Sequence, residues 1–206
     1  MPYPAKISAA EVREAALRLL EVQGIEAVSM RSLAEVLGVR ASSLYRHIAH
    51  REALLALLSE DAAFQLHEAL VAAAASRQAG HPALEAVARA FVTFARTRPH
   101  LYALLHTPRP PGAGAGEGQR LWRFILGQVS CASGQPDDTA GTVALWAFLH
   151  GYVELERADL YGLSGPGAGF ERGLAALLFW QETVENSAAT TGGQQKPPPG
   201  FPRGGG

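Results

Sequence analysis

The chain has 206 residues, of which 48% are hydrophobic and 18% are charged, with a mean hydropathy of +0.03. This length leaves room for one ordinary domain or a small module attached to a larger one, and the composition excludes disorder throughout. The net charge is −1, so binding to nucleic acid would require a local basic patch.

The single cysteine, Cys131, excludes an intramolecular disulfide and a cysteine-based zinc cluster, and it favours a reducing compartment. The first residues are polar and lack the apolar core of a secretory signal, and no stretch approaches the roughly eighteen apolar residues of a membrane span. We therefore expect a soluble, cytoplasmic protein with no membrane partner.

Apolar side chains recur at three- and four-residue spacing along nearly the whole chain, which predicts an all-α fold. Ser8 and Glu11 form a capping box before the first helix, and Ser29 is the N-cap of the second. Gly24 and Gly38 suit the ends of these two helices. The predicted helices of this half lie at 8–24, 29–38, 40–47 and 51–75.

The second half is also predicted to be helical, with two interruptions. Proline and glycine residues make 107–118 a predicted mobile loop, and Gly-Gln-Pro-Asp at 134–137 marks the second break. The tail 187–206 is rich in proline and glycine and is expected to be disordered. The predicted helices lie around 84–95, at 101–106, around 121–129, and at about 136–159 and 168–185.

Residues 29–48 have the sequence form of a helix-turn-helix, with two short helices joined by a tight glycine-containing turn. The second helix is polar on its outer face, while Leu44 and Val39 fit its packed side. Residues 31–51 contain four arginines and one glutamate, a local charge of +3 in a chain of net −1. A solvated helical hairpin without a partner would have the same pattern, because two-helix turns are common in bundles.

Val12 to Leu55, with GIEAVSMRSLAEVLGVRASSLYRHIAHREALL at its centre, resembles the DNA-binding head of TetR-type bacterial transcriptional regulators. PHLYALLH (99–106) and ALWAFLHGYVELE (144–156) resemble the ligand-binding domain of the branch named for its Trp, His and Gly motif. The resemblance implies a homodimer that binds a near-palindromic double-stranded DNA operator and is released by a small-molecule effector, as a repressor.

The same resemblance implies three segments: a three-helix DNA-binding head at 1–50, a helical ligand-binding and dimerisation body at 51–186, and the tail at 187–206. The long helix that starts at Arg51 joins the head to the body. An effector that tilts this helix would change the separation of the two heads, and DNA binding depends on a half-site spacing of about 34 to 36 Å.

The DNA-binding residues follow from the basic patch and from positions in the family motif. They are Arg31, Arg40, Ala41, Ser42, Ser43, Tyr45, Arg46, His47 and Arg51. By position, Tyr45 and His47 would contact the phosphate backbone, and Arg51 would bind phosphate where the family usually has lysine. Arg40 stands where a capping Ser or Thr is common, so operator specificity is not inherited from relatives.

Pockets for small molecules are mostly apolar with a few polar groups. Five aromatic residues and two histidines on the predicted body helices fit this description: Phe91, Phe94, Tyr102, Trp122, Trp146, His106 and His150. Taken alone, each is more often a core or structural residue than a ligand contact. Together they are the candidate effector site.

A dimer is also indicated by the residues themselves. The run Val143–Leu149 is apolar on every side, and the last helix carries apolar side chains around more than one face. One monomer cannot easily cover both helices, so we expect a four-helix contact with a second chain. The alternative is that both helices are central in a monomer.

Catalysis, metal binding and a reactive cysteine are not expected. An enzyme is not expected, because the sequence has no GxSxG or HExxH motif and the glycine run 112–118 lacks the Lys-Ser/Thr of a phosphate loop. His150 and Glu154 share a helix face, but no third ligand is placed, so we expect neither a metal nor another cofactor. Cys131 is expected to be a buried, inert thiol.

The main alternative function is a small-molecule-binding or scaffold protein whose helix-turn-helix does not read DNA.

Overall fold

The first helices begin where the capping residues predict. In a computed structural model that describes residues 7–106, 116–162 and 165–178, every regular element within those ranges is helical, which confirms the all-α prediction. No helix in these ranges has the length and apolar character to span a membrane. The predicted tail 187–206 and residues 107–115 of the predicted loop lie outside the described ranges.

Helix α1 spans Ala9–Gln23, and its start is a capping box: the Glu11 amide donates to Ser8 Oγ, and the Ser8 amide donates to the Glu11 carboxylate. It ends at Gly24, which has a φ of +81°. The apolar face predicted for this helix is buried. A 3₁₀ turn, Ile25–Ala27, leads to the next helix.

Helices α2 (Met30–Val36) and α3 (Ala41–Leu44) form the helix-turn-helix, with Ser29 as the N-cap of α2 and Gly38 at φ +65° in the turn. Helix α3 is shorter than the predicted 40–47. It has no side-chain cap and contains two serines, which compete with the helical backbone for hydrogen bonds. The residues after Leu44 continue as a turn.

Helix α4 (Arg51–Ala75) has the predicted bounds, and its 25 residues extend over about 37 Å. It packs against α1 of the head and against the three body helices α5 (His81–Thr97), α6 (Pro99–Leu105) and α7 (Gly116–Ser133). One stripe of α4 is fully buried at every fourth residue: Leu54, Leu58, Ala62, Leu66 and Leu70.

Two helix starts differ from the predictions. Helix α7 already includes Gly116, which lies inside the predicted loop, and the Glu117 amide donates to a Glu60 carboxylate oxygen at 2.8 Å. Helix α8 (Thr139–Arg157) begins later than the predicted residue 136, because Asp138 caps it by accepting a hydrogen bond from the Gly141 amide. A further helical segment, α9, covers 169–178.

Cys131 is exposed on α7, and not buried as the sequence analysis expected. The buried face of α7 includes Val129, and Cys131 lies about 200° around the helix from that residue.

A partly buried ion pair joins α1 to α4. Arg13 donates from Nε to Asp61 Oδ2 at 2.6 Å, and a second guanidinium nitrogen contacts Oδ1. The Asp61 side chain is 4% exposed, whereas that of Arg13 is 50% exposed. The carboxylate is therefore desolvated and depends on the arginine for compensation.

We expect Arg13→Ala to lower the free energy of unfolding by about 3 kcal/mol, because it leaves the buried Asp61 carboxylate unpaired. Urea unfolding at fixed protein concentration measures this difference. Arg18→Ala is the matched control on the same helix, since the Arg18–Glu14 pair is exposed and is expected to contribute less than about 0.5 kcal/mol. Equal effects of the two substitutions would contradict this assignment.

Candidate DNA-binding and ligand-binding sites

The predicted DNA-contacting side chains differ in exposure. Those of Ala41, Ser43, His47 and Arg51 are half-buried. Five are exposed around the helix-turn-helix: Arg31, Arg40, Ser42, Tyr45 and Arg46.

Helix α3 is held to the head by its packed side. Leu44 is fully buried, as is Leu33 of α2, so the polar residues of α3 are left on the opposite side. This is the division of faces that a DNA-reading helix needs.

Three arginines of this segment are exposed: Arg31, Arg40 and Arg46. No ion pair within the described ranges includes Arg31, Arg40 or Arg46. Their positive charge is available to phosphate groups, which interact with arginine through charge-assisted and often bidentate hydrogen bonds.

Arg51 has a different environment from the one predicted. Its Nε donates to the Val28 carbonyl at 2.7 Å and its Nη2 donates to the Ile25 carbonyl at 2.9 Å. The guanidinium therefore connects the start of α4 to the backbone between α1 and α2. In this geometry Arg51 holds the head together, whereas the sequence analysis assigned it to phosphate.

We expect Arg51→Met to lower the free energy of unfolding by about 2 kcal/mol, since two carbonyl groups lose a charged donor. The measurement is urea unfolding, with Arg46→Met as a control that removes an exposed guanidinium without such partners. If Arg51→Met left stability unchanged and only weakened DNA binding, the phosphate role would be correct instead.

The aromatic residues of the body come together in one cluster. The rings of Phe91 and Trp146 lie 5.5 Å apart between centroids, and those of Phe91 and Tyr102 lie 5.8 Å apart. Trp122 reaches Trp146 at 6.5 Å. Helices α5, α6, α7 and α8 each contribute to this aromatic cluster, which contains six of the seven residues predicted for the effector site: Phe91, Tyr102, His106, Trp122, Trp146 and His150.

The polar end of the cluster consists of Tyr102, His106 and His150. The Tyr102 hydroxyl lies 2.5 Å from His150 Nδ1, and the two imidazole rings stack at 4.0 Å between centroids. Burial raises the pKa of the Tyr102 phenol well above its usual value. Burial, together with the neighbouring His150, lowers the pKa of His106. The phenol stays protonated and the His106 ring favours its neutral form.

Two charged residues, Arg157 and Glu154, flank this end of the cluster, and neither was among the predicted site residues. The Arg157 guanidinium lies 5.6 Å from the centre of the Tyr102 ring, and Arg157 also pairs with Glu154 at 3.4 Å. Nothing in the spacing along α8 distinguishes Arg157 from an ordinary helix-terminal arginine. Among the residues that the structure describes, no three His, Cys, Asp or Glu side chains are grouped as metal ligands.

Phe94 lies outside the aromatic cluster. It lines an open groove of about 570 Å³ between α4 and α5, together with Phe64, Ala69 and Arg98. Phe91 and Phe94 are three residues apart on α5, so they share one face of the helix but point about 60° apart around it. The sequence pattern places both rings on the apolar face of α5, but it does not show which helix each ring contacts.

Comparison with known proteins identifies the family. Residues 12–58 match the family model described as bacterial regulatory proteins, tetR family, and residues 84–177 match the one described as tetracyclin repressor-like, C-terminal domain. The chain belongs to the TetR family. A search of curated proteins found no match.

Solved structures share this TetR fold. A protein with unknown function from Rhodococcus sp. RHA1 is 25% identical, with a TM-score of 0.69 over 88% of this chain and 96% of that one. A variant of TetR from Acinetobacter baumannii AYE in complex with minocycline is 25% identical, with a TM-score of 0.60 over 86% and 98% of the two chains. A TetR transcriptional regulator from Streptomyces coelicolor, 21% identical, has a TM-score of 0.53 over 88% and 97%.

Proposed function

We propose that this TetR-family protein is a cytoplasmic transcriptional repressor that binds a near-palindromic operator as a homodimer and is released by a small-molecule effector. The observation that carries the proposal is the helix-turn-helix, whose exposed Arg31, Arg40 and Arg46 form no ion pair with another described residue, in a chain of net charge −1. We propose no catalytic activity. We also propose that the head ends and the body begins at residue 50, and that the chain belongs to the TetR branch with a Trp, His and Gly motif, here Trp146, His150 and Gly151.

The proposed DNA contacts are divided by chemistry. The side chains of Arg40 and Ser42 reach base edges or adjacent phosphates from the start of α3, and Tyr45 with Arg46 contacts the phosphate backbone. Arg51 supports this surface by fixing the backbone of the turn before α2.

The proposed effector site is the aromatic cluster. Its tryptophans are half-buried and its histidines form a polar end, which is the composition of a small-molecule pocket. The TetR variant solved with minocycline is a relative whose fold holds a small molecule.

Helix α6 offers a route from this site to the head. At one end it carries Tyr102 and His106, and at the other it packs against α1. A Cβ at Gly24 would lie 3.2 Å from the His100 ring, and Arg98 pairs with Glu21 of α1. An effector that displaces α6 would therefore press on the head as well as on α4. For a tenfold loss of operator affinity the effector must favour the released state by about 1.4 kcal/mol.

The proposed dimer contact is the outer face of α8. Val143 is 52% exposed and Leu155 is 45% exposed, and Ala140 and Ala147 are exposed between and beside them. The inner face of the same helix, with Leu145 and Leu149, is already buried in the monomer. A second copy of α8 with α9 would cover the exposed face, and the small side chains allow close approach.

The first test is selection of a randomised duplex library by the purified protein at near-physiological salt. We expect an enriched inverted repeat whose half-site centres are separated by about one helical turn of DNA. Retention without sequence preference would favour the alternative, a binding or scaffold protein whose helix-turn-helix does not read DNA.

On the selected duplex we expect Arg46→Ala to weaken binding and to reduce the slope of log affinity against log salt by about one, because one phosphate contact is lost. Titrations at several salt concentrations measure the slope. Arg77→Ala removes an equal charge from the exposed end of α4 and is the matched control. An unchanged slope for Arg46→Ala would remove this residue from the DNA interface.

We expect Val143→Arg to raise the dimer dissociation constant at least about tenfold, since it places a charge in an apolar contact. Sedimentation equilibrium gives the constant. The control is Val22→Arg on α1, where the native valine is even more exposed, at 76%. Equal dissociation constants for both variants would exclude the outer face of α8 as the contact.

A further inference from the structure

One buried tyrosine sets the protonation of the first histidine in the aromatic cluster. Tyr102 is fully buried, and a buried phenol needs an acceptor for its proton. His150 Nδ1, at 2.5 Å, is placed to accept it. An imidazole whose Nδ1 accepts a hydrogen bond carries its proton on Nε2, so His150 Nε2 is a hydrogen-bond donor.

The same tyrosine residue also fixes the tautomer of the second histidine, His106, with the opposite result. His106 Nδ1 lies 3.1 Å from the Tyr102 carbonyl oxygen, and a carbonyl can only accept. His106 Nδ1 therefore carries the proton and donates. Because the lowered pKa of His106 keeps its ring neutral near pH 7, Nε2 of His106 has a free lone pair and is an acceptor.

The two rings thus present a donor next to an acceptor. Their centroids are 4.0 Å apart, with 28° between the planes. Within the part of the chain that the structure describes, neither Nε2 atom has a hydrogen-bonding partner. His106 is exposed and His150 half-buried, so both edges are accessible to a ligand.

Among the described residues, the charges beside the histidines offset each other. The Arg157 guanidinium over the Tyr102 ring is paired with Glu154. The other rings of the aromatic cluster are those of Phe91, Trp122 and Trp146. Such a site offers flat apolar contacts and gives no excess of one charge to hold an anion or a cation.

We infer that the aromatic cluster takes an uncharged, flat aromatic molecule that carries an N–H or O–H donor beside a carbonyl acceptor, as a lactam does. The carbonyl accepts from His150 Nε2, and the donor group binds His106 Nε2. The inference rests on the proposed effector site and adds the chemical class of its ligand.

The test uses three bicyclic probes of similar size: 2-quinolone, which has the donor beside the acceptor, N-methyl-2-quinolone, which lacks the donor, and indole, which keeps an N–H donor but lacks the carbonyl. Isothermal titration calorimetry with the full-length chain at pH 7.5 measures their affinities. We expect 2-quinolone to bind at least about tenfold more tightly than either analogue, since each analogue leaves one of the two Nε2 atoms unpaired.

Variants then test the role of Tyr102 as a positioning residue. Tyr102→Phe frees the His150 tautomer, so the preference for 2-quinolone over indole, which lacks the carbonyl that His150 binds, should fall to within about threefold. The preference over N-methyl-2-quinolone should stay, because the Tyr102 carbonyl that fixes His106 is retained. Tyr161→Phe is the matched control, because it removes a tyrosine hydroxyl that donates to the Tyr152 carbonyl outside the histidine pair. The readout is a ratio of two affinities, which a general loss of stability would not change selectively.

Each other outcome overturns the inference. Equal binding of the three probes would show a pocket that does not read the donor and acceptor, and failure of all three to bind would exclude this ligand class. An unchanged preference for 2-quinolone over indole in Tyr102→Phe would show that the tyrosine hydroxyl does not set the His150 tautomer. Operator binding by the same samples tests the proposed function separately, because it does not depend on the probes.

Discussion

The burial of α4 on two sides is the constraint on which the rest of the structure depends. Its stripe from Leu54 to Leu70 is covered by the head and by the body helices, and each fully buried leucine contributes about 1.5 to 3 kcal/mol. Close packing makes such a stripe resist continuous deformation. Under the proposed function, a change in the body would move α4 as a rigid element, and the Arg13–Asp61 pair would connect that movement to α1.

The starts of the first two helices are predicted from neighbouring residues and agree with the structure. Ser8 and Ser29 mark these helix starts because a cap bonds within three residues. The Glu117 amide of α7 donates instead to Glu60, 57 residues away, and Arg51 donates to carbonyl groups 23 and 26 residues away. Spacing along the chain contains no signal for such pairs.

The candidate sites divide in the same way. Periodicity places Tyr102, Trp146 and His150 on apolar helix faces, and α6 and α8 then bring them into one cluster. Periodicity could not separate Phe91 from Phe94, because adjacent positions of an apolar face meet different helices. The tautomers of the two histidines depend on the positions of the Tyr102 hydroxyl and the Tyr102 backbone carbonyl. Only the folded structure shows these positions.

The shortness of α3 has an evolutionary consequence. A single turn of four residues contributes almost nothing to its own formation, and its attachment to the head depends mainly on Leu44. Exchanging Ser42 for another side chain removes no buried contact, so changes there are nearly free of a folding penalty. If α3 contacts the operator as proposed, descendants of this chain could acquire new operator preferences by drift at the tip of the head while the core and the body remain the same.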